Sequence, residues 1–111
     1  MNRSFFIAGA QYHDLSKIIK DIKVGDFLDL VPEPTNEFDS NAVRICYEDL
    51  EKPDHVFLGY VPRIFSAEVC GLLEAEVYLE CIVTAVNPSS KPWEMCKVTI
   101  YEPLKEDRIN E

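Results

Sequence analysis

The sequence predicts a mostly β (α+β) domain: six short strands and two short helices, rolled into a small closed or nearly closed barrel. Three observations carry this. Short runs rich in β-branched and aromatic residues recur along the chain, each bounded by Gly, Pro, Asn or Asp. Only two stretches show the three-and-four apolar spacing of a helix with one buried face. Finally, the 111 residues contain no internal repeat, low-complexity tract or linker, so they are read as one domain over 1–103 with a modest core, followed by a flexible acidic tail over 104–111.

In chain order, Phe5 to Ala10 is an apolar run expected to form the opening strand. Asp14 stands where it can cap a helix whose Leu15, Ile18, Ile19 and Ile22 share one face, with Gly25 just past its end and Lys17, Lys20 and Lys23 on the solvated side. Leu28 to Val31 and Val43 to Tyr47 read as two strands around a stiff centre holding Pro32, Pro34, Asn36, Asp39 and Asn41. A charged loop over 47–55 leads to a strand from Val56 to Val61, where Gly59 suggests a bulge or a close backbone approach. Pro62 then opens a second helix with Phe65, Val69, Leu72 and Leu73 along one side. Val77 to Asn87 and Trp93 to Glu102 complete the strands.

Composition narrows the function. Hydrophobic residues make up 47% and charged residues 28%, the balance of a soluble globular protein. No apolar run is long enough to span a bilayer and the first residues lack a signal-peptide core, so the expected location is the cytoplasm, with no membrane partner. Cys46, Cys70, Cys81 and Cys96 are scattered singly and neither histidine adjoins them, whereas zinc normally leaves close ligand pairs; no metal and no cofactor is expected. There is no Gly-rich phosphate loop and no nucleophile elbow, so no catalytic residue is assigned and no reaction is proposed. The net charge of −9 opposes non-specific adhesion to nucleic acid, which depends on neutralising phosphates. Capture of a strand end is less affected, because few phosphates are engaged and stacking carries more of the recognition.

Three blocks then draw attention. Glu33-Pro34-x-Asn36-x-Phe38-Asp39-x-Asn41-Ala42-Val43 is preceded by Ala8-Gly9-Ala10-Gln11-Tyr12-His13 and followed by Leu58-Gly59-Tyr60-Val61-Pro62-Arg63. In this order they closely resemble the HIRAN domain, over roughly residues 5 to 86. That family occurs at the N-terminus of certain eukaryotic DNA-repair ATPases and as small free-standing bacterial proteins. The resemblance implies a small OB-like or SH3-like barrel that, in the repair ATPases, holds the 3′-hydroxyl end of single-stranded DNA.

Carried onto this chain, the resemblance nominates Gln11, Tyr12, Phe38, Asp39, Tyr60 and Arg63 as the nucleic-acid-binding set. Asp39 is an acceptor when ionised and a 3′-hydroxyl is a donor, so this pair would distinguish an end from an internal phosphodiester; equally, an Asp in a turn caps its own backbone. Tyr12 and Phe38 match aromatic positions of the DNA-binding members, with Phe38 lacking the hydroxyl of the tyrosine found there. Arg63 matches a basic position and is the expected phosphate contact, near a helix N-terminus. Arg44 alternates with Val43 and Ile45 and is expected to face away from them, available to a ligand if the outer face carries the groove. Gln11 and Pro32 stand where relatives carry basic residues, and both remove positive charge; a neutral Gln donor is weaker than Arg by roughly a factor of two. The acidic balance also supports a different class of function, a protein-interaction or homodimeric assembly module that keeps the fold without the DNA site.

Overall fold

Six antiparallel strands form one sheet in the order β1-β6-β5-β2-β3-β4 in the computed structural model, which describes residues 1–48 and 55–104. The strands are β1 (Asn2–Phe6), β2 (Phe27–Pro32), β3 (Val43–Tyr47), β4 (Val56–Tyr60), β5 (Glu80–Val86) and β6 (Cys96–Tyr101). Two helices interrupt them, α1 (Leu15–Ile18) after β1 and α2 (Arg63–Glu74) after β4. The sheet curls until its outer strands nearly meet. Just beyond β1, Ala8 and Tyr60 exchange both backbone bonds, Ala8 N–H to Tyr60 O at 2.9 Å and Tyr60 N–H to Ala8 O at 2.8 Å. The barrel is tied there.

Gly59 makes this closure possible. A Cβ at this position would lie 2.4 Å from the Ala8 carbonyl oxygen and 2.6 Å from the Ile7 side chain, well inside contact distance. The bulge expected on this strand is present as a register shift between β3 and β4 at Ile45/Cys46. Inside the curl, Val43, Ile45, Leu58, Val83, Val98 and Ile100 of the strands are fully buried, with Ile7 just past β1, and β1 and β2 each add one buried residue, Phe5 and Leu28. Leu15 and Val69 close the core from the two helices.

Element limits differ from the sequence reading where tertiary pairing overrides local propensity. The opening strand starts at Asn2 rather than Phe5, because β6 pairs with the polar residues too: Ser4 Oγ and Thr99 Oγ1 lie 2.7 Å apart across the pair. The first helix is a single α-turn continued by a 3-10 turn, Ile19–Asp21, and this tightening buries Ile18, Ile19 and Ile22 together. Asp14 precedes it but makes no side-chain cap; its carboxylate meets Lys17 at 3.2 Å instead. In α2 the fully buried positions are Ser66, Val69 and Cys70, so the inner stripe is rotated from the one expected, with Phe65, Leu72 and Leu73 only half-buried. The last strand begins at Cys96, since Pro92–Glu94 forms a 3-10 turn. The loop expected over 47–55 and the tail expected over 104–111 fall largely outside the described residues.

Candidate nucleic-acid interface

The turn between β2 and β3 is built by one side chain. Asn36 Oδ1 accepts the backbone N–H of both Phe38 (2.8 Å) and Asp39 (2.9 Å), while its Nδ2 donates to Glu33 Oε1 at 2.8 Å. Backbone bonds from Glu33 N–H to Ala42 O and from Ala42 N–H to Asp39 O close the base of the turn. Asn36 holds the turn as expected, whereas Asn41 contributes through its backbone N–H, which donates to Asp39 Oδ1 at 2.9 Å. The result is a rigid support that leaves Phe38 82% exposed.

Asp39 is fixed from two directions. Its Oδ2 accepts the hydroxyl of Ser66, a buried residue of α2, at 2.6 Å. The Ser66 bond, the Asn41 N–H and the nearby Arg63 charge hold its carboxyl below the usual carboxylate range, outweighing partial burial. It therefore caps its own turn, and its remaining lone pairs are free to accept.

Beneath the turn, Glu33 gathers a second network. Tyr60 donates its hydroxyl to Glu33 Oε1 at 2.8 Å, and Arg44 Nε donates to Glu33 Oε2. Burial would raise the Glu33 carboxyl, but the bonds from Asn36, Tyr60 and Arg44 outweigh it and leave the group below its ordinary value. Burial and the bond to Glu33 in turn push the Tyr60 phenol up. The Arg44 guanidinium stacks 4.6 Å over Phe57, whose other contacts include the His13 ring at a 4.0 Å centroid distance. Arg44 thus faces outward as expected, with its side chain 43% exposed, but its guanidinium is already engaged by Phe57 and by an acidic partner one strand away, at the end of β2.

Asn36, Asp39 and Tyr60 from these networks border a cavity of about 250 Å³ whose wall is completed by Ala8, Gly9, Phe38, Ala42, Val61 and Arg63. Four of the six nominated residues, Phe38, Asp39, Tyr60 and Arg63, share this wall. Gln11 and Tyr12 do not line it. They lie on the 3-10 turn Ala10–Tyr12, which leaves the cavity's rim at Gly9, a residue in the left-handed region at φ +67°, and Tyr12 is 79% exposed. Arg63 is exposed at the first turn of α2, and among the described residues no ion pair engages it. Sequence reasoning missed Ser66. The available signal was its register: residues 66, 69, 70 and 73 form an i, i+3, i+4, i+7 series, in which a hydroxyl on an inward stripe calls for a partner.

This geometry can be set beside known proteins. The family model of the HIRAN domain matches residues 2–105. The chain belongs to the HIRAN domain family. Two solved structures share this fold. A crystal structure of a protein from Lactobacillus plantarum superposes with a TM-score of 0.71 at 22% identity, covering 90% of this chain and 95% of the other. The crystal structure of the HIRAN domain of human HLTF superposes with a TM-score of 0.69 at 12% identity, covering 98% of this chain and 81% of the other. At these identities the likeness is one of fold. No curated protein matches the chain significantly. All four cysteines of this HIRAN domain are free and buried, and among the described residues no three His, Cys, Asp or Glu side chains are grouped to hold a metal. No helix among them is long and apolar enough to cross a membrane.

Proposed function

We propose that this chain is a DNA-binding module of the HIRAN type that captures the 3′-hydroxyl end of a single strand in the Asp39 cavity. One observation carries the reading: a carboxylate held ionised by Ser66 and Asn41 stands in the same small cavity as an exposed Arg63 and the open ring of Phe38. The terminal hydroxyl donates to Asp39, the adjoining phosphate meets Arg63 near the positive end of the α2 dipole, and the last base stacks on Phe38. Tyr60 forms a wall, its hydroxyl being committed to Glu33. Tyr12 offers a further stacking face beyond the rim, and Gln11 a neutral donor. An end site of this kind tolerates the charge of −9, because it asks for few phosphate contacts. The module acts without catalysis, and its reduced cysteines suit the cytoplasm.

A second reading has its own support. On another part of the surface a groove of about 630 Å³ runs past Phe27, Leu30, Leu73, Tyr78 and Leu79, with Asp29 and Glu80 in its walls. Apolar area edged by carboxylates fits a basic protein partner better than DNA. Fluorescence anisotropy at low salt separates the readings, using one oligonucleotide in 3′-hydroxyl, 3′-phosphate and circular forms. Preference for the free hydroxyl, lost in Asp39→Asn, supports end capture; equal or absent binding of all three forms refutes it and directs attention to protein partners.

A further inference from the structure

The outward face of the β1-β6-β5 half of the sheet begins at the cavity wall and continues away from it. Ala8 lines the cavity, and Phe6 lies two residues earlier on the same outward side, about 7 Å away along an extended chain. Strand register then defines two rows across the sheet. The first is Phe6, Lys97 and Ala85; the second is Ser4, Thr99, Ile82 and Phe27. All seven side chains point out of the barrel, since their strand neighbours Phe5, Val98, Val83 and Leu28 are buried within it.

Two features set this face apart. In a chain with 20 acidic residues, neither row holds a carboxylate; those at the face's borders are Glu80 in the next row, bonded to the Tyr101 hydroxyl, Asp29 two residues along β2 from Phe27, and Glu94 beside Trp93. The exposed aromatics also come with cations. The Lys97 ammonium lies 5.9 Å from the Phe6 ring centre, and at the same end of the sheet Lys91 lies 5.6 Å from that of Trp93. Phe27, 59% exposed, ends the second row, where the groove edged by Asp29 and Glu80 begins, so the strand path is confined to the Phe6 and Lys97 side. Exposed rings beside ammonium groups and hydroxyls, on the outside of a small barrel and with no carboxylate in either row, match the stacking platforms and backbone contacts that hold a single strand without reading its sequence.

We propose that this face is a second subsite, which carries the nucleotides lying 5′ of the captured end, with Phe6 stacking a base and Lys97 and Lys91 contacting phosphates. The inference rests on end capture at Asp39, and it adds a length dependence that the cavity alone does not produce. Calorimetric titration of the whole chain with a thymidine dinucleotide and a thymidine octanucleotide, both with free 3′-hydroxyls, tests it. The octanucleotide is expected to bind about tenfold or more tightly, the scale of one additional stacked base. Phe6→Ser and Lys97→Glu should each remove most of that advantage while leaving the dinucleotide unchanged. Lys97→Glu should also flatten the salt dependence of octanucleotide binding by roughly 0.7 in log K per log salt for the lost phosphate contact. Both side chains are on the surface, so both variants should fold, which circular dichroism verifies. Equal affinity of the two oligonucleotides, or an octanucleotide advantage that survives both substitutions, overturns the subsite and leaves end capture standing. An octanucleotide that binds through Phe6 and Lys97 while the dinucleotide does not bind, and with no effect of Asp39→Asn, supports the face and overturns the end site.

Discussion

Substituting Gly59 by alanine tests the closure on which the cavity depends. The new Cβ would meet a backbone oxygen, that of Ala8, at 2.4 Å, so no side-chain rotation relieves the contact and the Ile7–Ala8 segment must retreat from β4. Retreat strains or breaks the two bonds joining Ala8 and Tyr60, each contributing about 1 kcal/mol net. Gly59 also sits at φ +156°, outside the usual range for a side-chain-bearing residue, and holding alanine there costs on the order of 1 kcal/mol more. The expected loss is about 3 kcal/mol, or a melting temperature lower by roughly 10–20 °C for a domain of this size. Gly71 supplies the control. It lies in the middle of α2, where a Cβ would find nothing within 4 Å, so Gly71→Ala should stabilise by about 0.5–1 kcal/mol. Urea denaturation of the two variants reads both numbers. A Gly59→Ala protein within about 0.5 kcal/mol of the parent would refute the claim that this close approach ties the barrel, since even one lost bond exceeds that.

Three further tests rest on local geometry. Glu76 follows α2 with φ +62°, and the Val77 N–H to Leu72 O and Glu76 N–H to Leu73 O bonds form the closing motif that favours glycine, so Glu76→Gly should raise stability by up to about 1 kcal/mol in a denaturant titration. Ser66→Ala removes the donor that most depresses the Asp39 carboxyl. Because a depressed carboxyl stabilises the fold above its unfolded pKa and loses that contribution as pH falls through its folded value, the variant should be weaker by about 1 kcal/mol at pH 7, with the gap closing in acid; a gap independent of pH would place the effect in packing instead. Burial pushes the Cys96 thiol up to about 12 and the Cys81 thiol higher still, so neither should react with a thiol reagent at pH 8 until denaturant is added, and rapid labelling of either in the folded protein would contradict their place in the core.

The order of strands and helices was legible because each element carries a local signature: alternation in Val43–Tyr47, three-and-four spacing in Leu15–Ile22, punctuation by Pro62 and Gly25. The turn was legible for the same reason, since Asn36 acts on residues two and three positions away. The six nominated site residues came from the resemblance of three short blocks, and the fold brings four of them to one cavity wall. What only the tertiary structure decided are the long-range partnerships. Arg44 alternates with two apolar neighbours and so reads as a free cation, yet its partner Glu33 is 11 residues distant, across the β2-β3 pair. Ser66 meets Asp39 across 27 residues, and the extension of β1 back to Asn2 depends on a strand more than ninety residues later, with Ser4 and Thr99 separated by 95. A local pattern records which face of an element is apolar, through periods of two or 3.6 residues. It holds no information about which distant polar group will stand opposite, because that is set by how the sheet curls and where α2 comes to rest upon it.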